Sequence, residues 1–123
     1  MATGLENLKI YQMAEELELM LHKVTGKFPN NERFRSVDQI KISLAAVANN
    51  ISEGYTRHSY KKKVRYLYIA KGEAEETKRN IIRSFKKGFL EKKIAEEITD
   101  KYTELLKAIS GYIKFLKSKD INL

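Results

Sequence analysis

Apolar residues recur along the chain at alternating spacings of three and four, in four runs separated by short polar breaks. In the first run Ile10, Met13, Leu17, Met20 (or Leu21) and Val24 share one face of a helix, and Glu15, Glu16 and Glu18 fall off it. Gly26 and then Phe28-Pro29 end the run, because glycine caps helices and proline cannot continue one. A second helix can start near Asn31 or Ser36, with Val37, Ile40, Leu44, Val47 and Ile51 inward. Ala45, Ala46 and Ala48 make it apolar on more than one side, as expected of the most buried helix of a set. Gly54 is expected to end it, with a turn over Tyr55-Thr56-Arg57-His58-Ser59.

Ser59 can cap a third helix whose inner positions are Tyr60, Val64, Leu67, Ala70, Ala74, Thr77, Ile81 and Phe85. The fourth runs through Ile94, Ile98, Tyr102, Leu105, Ile109, Tyr112 and Leu116. No segment alternates with period two over a useful length, so strands are not expected. The expected helices span about 6–25, 33–55, 59–87 and 91–118, with errors of a few residues at each end. Short connections between long helices force antiparallel neighbours, so the expectation is an all-α fold, a single antiparallel up-and-down four-helix bundle over residues 1–123.

Composition narrows the functional classes. The 123 residues include no cysteine, which excludes disulfides and thiolate metal sites. The N-terminus lacks the basic and apolar regions of a signal peptide, and no stretch approaches the roughly 20 apolar residues of a membrane span. A cytoplasmic protein is the expectation. No phosphate loop of Walker type occurs, and the two histidines, His22 and His58, stand apart from any second ligand at metal spacing. Glu73 and Glu76 form an i, i+3 carboxylate pair, but no glutamate has a histidine three residues later, as a di-iron bundle requires. Ion pairing one turn away is the simpler role for that pair. The chain is therefore expected not to be an enzyme, with no catalytic residues, no metal and no cofactor.

Charge changes the picture most. Residues 1–32 carry a net charge of −2 and residues 94–123 cancel, whereas residues 33–93 carry 16 basic and 6 acidic side chains. Arg57, Lys61, Lys62, Lys63 and Arg65 crowd one turn and the first coils of the third helix, and Lys71, Lys78, Arg79 and Arg83 follow on it. Tyr55, Tyr60, Tyr66 and Tyr68 are interleaved, and exposed tyrosines can stack on bases. These basic residues are the candidate nucleic-acid contacts, by a salt-dependent and weakly sequence-selective mechanism. The run Asn49-Asn50-Ile51-Ser52-Glu53-Gly54 is unusual, because asparagine, serine and a C-terminal glutamate all disfavour helix. A polar network that fixes the helix end, or the register with a neighbouring helix or subunit, would compensate for them, as would a ligand contact.

Phe28-Pro29, Asp38-Gln39-Ile40, Asn50-Ile51-Ser52-Glu53-Gly54, then Leu67 to Glu73 and Glu76, follow in an order that resembles bacterial four-helix-bundle proteins. Many members of that family are encoded in intervening sequences of large-subunit ribosomal RNA genes. The chain departs from the family pattern at Glu73, where serine is usual, and at Ala46-Val47-Ala48, where a Ser-Ile-Pro-like run is usual. The resemblance implies a homo-oligomeric ring, often a pentamer, and a link to the accessory bundles of diversity-generating retroelements, which bind a reverse transcriptase and nucleic acid. It assigns no functional site, and it fits a structural or subunit-interface role for Asn50, Glu53, Gly54 and Gly72. Two functions follow as expectations. One is an oligomeric scaffold binding RNA or DNA through its basic surface. The alternative is a protein adaptor, for example for a reverse transcriptase, that makes no direct nucleic-acid contact.

Overall fold

The computed structural model describes residues 4–120, apart from the Phe34 side chain, so the ends of the expected 1–123 domain lie outside the described residues. Among these are four α-helices and no strand: α1 (Lys9–Thr25), α2 (Asp38–Thr56), α3 (Tyr60–Lys86) and α4 (Lys92–Lys119). Each helix packs on its sequence neighbours and α4 closes back on α1, which is the up-down-up-down arrangement. A 3-10 turn at Asn30–Glu32 and a π turn at Arg33–Val37 lead into α2, so the entry to that helix is wound irregularly before it settles at Asp38.

Helix ends follow local chemistry. Ser59 Oγ accepts from the Lys62 N–H at 3.2 Å and so caps α3. At the other end of α3 the Phe89 N–H reaches the Ser84 carbonyl and the Gly88 N–H reaches the Phe85 carbonyl. This crossed pair is a Schellman motif, and Gly88 supplies the left-handed turn it needs at φ +85°. Gly26, by contrast, ends α1 in the right-handed region.

One continuous core runs through the bundle, from Ile10, Leu17 and Leu21 through Ile40, Leu44, Val47 and Ile51 to Leu67, Ile81, Ile98, Leu105 and Ile109. Every inward position expected on α2 is buried. Two positions expected inward on α3 are not: Tyr60 is 38% and Phe85 37% exposed. They occupy the two ends of the helix, where the stripe outruns the partners that would cover it, and Ser84 is the buried residue of the last turn instead. On α4 Ala95 and Ile113 are buried, with Ile94 and Tyr112 only half-buried.

Gly54 does not end α2, which continues to Thr56. It is buried within the helix, and a Cβ there would lie 3.2 Å from both the Lys63 carbonyl oxygen and Tyr66 Cβ. Glycine lets the α2 and α3 backbones approach closely at the top of the hairpin. Gly72, on the outer side of α3, has nothing within 4 Å of such a Cβ.

Candidate nucleic-acid interface

The turn between α2 and α3 is fastened by two of the candidate cations. Arg57 donates to Glu53 Oε2 at 2.8 Å and to the Tyr66 hydroxyl at 3.1 Å, and its guanidinium lies 4.9 Å from the Tyr66 ring centroid. It thereby ties the last turns of α2 to α3. Lys63 crosses the other way and donates to the Tyr55 carbonyl at 2.8 Å, over a ring centroid 5.6 Å away. A cation at the C-terminal carbonyls of α2 is also favoured by the helix dipole. Arg57 and Lys63 are spent on the hairpin, and Lys78 is spent likewise, donating to Thr103 Oγ1 on α4 at 2.8 Å.

The polar run of α2 is partly accounted for by the same geometry. Asn50 Nδ2 donates to the Ala46 carbonyl at 2.7 Å, Glu53 pairs with Arg57, and Gly54 is the point of close approach. The Glu53–Arg57 pair is more than a third exposed on both sides, so water screens it and its own contribution is about 0.5 kcal/mol.

What remains for a partner is a narrower set. Lys61, Lys62 and Arg65 are exposed on the first turns of α3, and Arg79 is exposed further along. With about 3.6 residues per turn, Lys61 and Arg79 lie on one azimuth about five turns apart, with Arg65 and Arg83 close to it. Lys71 and Lys78 fall on the flank toward α4. Arg83 donates to Asn80 Oδ1 at 2.7 Å near the end of the helix. Between the two basic groups stand Glu73, Glu75 and Glu76, so the face is positive at both ends and acidic in the middle. Burial, and then the charge of Glu76, push the Glu73 carboxyl above its ordinary range.

Three of the four tyrosines considered for base stacking are already covered by cations. Arg57 sits on Tyr66, Lys63 on Tyr55, and Lys117 of α4 on Tyr68 at 5.1 Å, where it also donates to the phenol oxygen at 2.8 Å. Among the described residues only Tyr60 of this group lacks such a cover. His22 and His58 are both exposed, and no three His, Asp or Glu side chains among the described residues come together as metal ligands would. No helix among them is long and apolar enough to cross a membrane.

One grouping is not visible in the sequence. Arg35, at the entry to α2, and Arg83 and Lys87, at the end of α3, line one cleft of about 530 Å³, together with Gln39, Asn80 and Glu76. The antiparallel hairpin brings the start of α2 beside the end of α3, and nothing in the local sequence of either signals the meeting.

No curated protein matches the chain. A crystal structure of a protein of unknown function from the S23 ribosomal protein family of Bacteroides thetaiotaomicron VPI-5482 superposes with a TM-score of 0.77. The match covers 85% of this chain and 98% of that one at 23% identity, and it establishes the shared bundle fold. The 23S rRNA-intervening sequence protein family matches residues 6–111, and the helices, connections and core described above all fall within or across that span. The chain belongs to the 23S rRNA-intervening sequence protein family.

Proposed function

We propose that the chain is a non-catalytic, cytoplasmic scaffold that self-associates and holds RNA or DNA by its phosphates. The observation that carries this reading is the set of exposed cations Lys61, Lys62, Arg65 and Arg79 along one face of α3, none of them ion-paired among the described residues. Cations of this kind neutralise phosphates and release counterions, which yields affinity without reading sequence. Self-association is carried over from the family resemblance; Leu19, Ile42 and Phe115, 64%, 67% and 52% exposed, stand singly on three different helices and do not by themselves mark an interface. In an oligomer each weak patch acts at high effective concentration, so a few contacts per subunit suffice. The test is the variant Lys61→Glu/Lys62→Glu/Arg65→Glu, which leaves the Arg57 and Lys63 fasteners intact. It is expected to keep its helical circular dichroism and lose RNA and DNA binding. Retained binding would remove the site assignment.

A second reading is favoured by the acidic interruption at Glu73, Glu75 and Glu76, since a uniformly basic rail suits nucleic acid whereas a plus-minus-plus pattern suits a complementary protein surface. A protein adaptor would co-purify with one stoichiometric partner after nuclease treatment and show no binding to purified RNA or DNA.

A further inference from the structure

The structure assigns a phosphate-binding site to the cleft between the entry of α2 and the end of α3, lined by Arg35, Arg83 and Lys87. These three cations come from the π turn before α2 and from the end of α3, with Arg35 and Arg83 48 residues apart in sequence, and they line a space of about 530 Å³. Neither Arg35 nor Lys87 has an ion pair among the described residues. Glu76 is the one carboxylate lining the cleft. Glu32 stands behind Ser36, and its oxygen accepts the Ser36 hydroxyl at 2.7 Å, which leaves three cations facing two carboxylates in the neighbourhood.

The neutral groups add direction. Ser84 donates to the Asn80 carbonyl at 2.9 Å and Ser36 to Glu32, so both hydroxyl protons are already used. The Asn80 amide is different. Its Oδ1 must face Arg83, because a guanidinium only donates; Nδ2 is then without an acceptor among the described residues and closed to water, so it meets a phosphate only when the side chain turns toward the cleft. A buried donor without an acceptor is uncommon in a folded protein and calls for an explanation. Gln39 offers a further amide on the opposite wall. Guanidinium forks and amide N–H groups around a cationic cleft match the several oxygens of a phosphate better than the two of a carboxylate. The cleft is open to solvent and larger than one phosphate, so a phosphate carried on a larger body can enter it.

This cleft is separate from the Lys61–Arg65 cluster, with Arg83 about 33 Å along the helix from Lys61. Two sources share the chemistry: a free nucleotide, or a nucleotide unit of a bound strand. Only the second rests on the nucleic-acid reading above.

The test follows the Asn80 and Gln39 side-chain amides of the full chain by ¹H–¹⁵N NMR during titration with inorganic phosphate, with chloride exchanged to hold ionic strength constant. Saturable shifts at Asn80 are expected, weakened at least tenfold in Arg35→Gln/Arg83→Gln and again in the independent variant Lys87→Gln. The variant Lys61→Gln/Arg65→Gln should titrate as the parent does. Shifts that never saturate, or that survive both cleft variants, would overturn the site. Adenosine monophosphate and a 5′-hydroxyl single-stranded oligonucleotide then distinguish the sources, since whichever displaces phosphate from Asn80 is the class the cleft takes. Phosphate binding with no oligonucleotide binding anywhere on the chain would keep the cleft and contradict the nucleic-acid function. Oligonucleotide binding with Asn80 silent to phosphate, nucleotide and strand alike would overturn the cleft and keep the nucleic-acid function.

Discussion

Thr77 Oγ1 donates to Ser43 Oγ at 2.8 Å across the α2–α3 interface, and Ser43 passes its own proton to the Gln39 carbonyl at 3.1 Å. Both residues are buried, 34 positions apart in sequence. A paired hydroxyl contributes little net stability, but one left without its partner keeps its desolvation cost. Ser43 keeps the Gln39 and Ile40 carbonyls in Thr77→Val, and Thr77 can turn to the Glu73 carbonyl at 2.9 Å in Ser43→Ala. Each single variant is therefore expected to lower unfolding stability by no more than about 1 kcal/mol, and Ser43→Ala/Thr77→Val by less than the sum of the two. Urea unfolding of the two single variants and the double variant measures the coupling. Additive losses would show that the two hydroxyls act independently.

Gly54 and Gly72 should respond to alanine with opposite signs. Alanine gains about 1 kcal/mol over glycine in an exposed helix interior, and Gly72 has the room to take that gain. At Gly54 the added methyl meets a backbone carbonyl and Tyr66 Cβ at 3.2 Å, and overpacking of this kind costs about 1–3 kcal/mol. Thermal unfolding of Gly54→Ala and Gly72→Ala checks both. Loss of self-association by a Gly72→Ala chain that stays folded would place Gly72 at a subunit contact.

These two glycines also show how much was legible beforehand. Helix count, order and most of the core follow from three-and-four spacing, because Val37, Ile40, Leu44, Val47 and Ile51 can be buried together only on a helix. Gly54 read as a terminator because glycine's common local role is to end helices. Its actual role depends on where α3 lies, which periodicity does not contain. The same limit applies to charge. Arg57 and Lys63 count as cations in the sequence, but the hairpin supplies Tyr66, Glu53 and the Tyr55 carbonyl to occupy them. Tyr60 and Phe85 fit the helical stripe but lie where the bundle ends. The meeting of Arg35 with Arg83 and Lys87 is purely tertiary, and no spacing rule reaches it.

Tyr102 is wholly buried in α4, and its hydroxyl has no hydrogen-bond partner among the described residues. Burial, and then the charge of Glu18, push its ionisation far above the ordinary tyrosine range. Tyr102→Phe removes the unpaired group with little loss of volume, so stability is expected to be unchanged or higher by up to about 1 kcal/mol. A clear loss in urea unfolding would show that the hydroxyl has a partner.

Glu32 has the opposite shift. The Ser36 hydroxyl at 2.7 Å holds its carboxyl below the ordinary range, with Lys87 and Arg35 adding to the effect. A carboxyl lowered by folding contributes stability above its unfolded value, and that contribution disappears as the pH falls through the folded one. Stability should thus fall on acidification below about pH 4.5, and the part due to Glu32 should be smaller in Ser36→Ala, which keeps the Lys87 and Arg35 charges. Carboxyl NMR titration of Glu32 in both chains measures it. An unchanged titration in Ser36→Ala would remove the assigned cause.

Under the proposed function, exposed cations on α3 hold nucleic-acid phosphates. The most direct measurement is fluorescence-anisotropy binding of a structured RNA and a duplex DNA between about 50 and 200 mM salt. Binding that weakens linearly on a log–log plot, by orders of magnitude if several phosphates are contacted per assembly, is the predicted result. Absence of binding at the lowest salt, or an affinity indifferent to salt, would contradict the account.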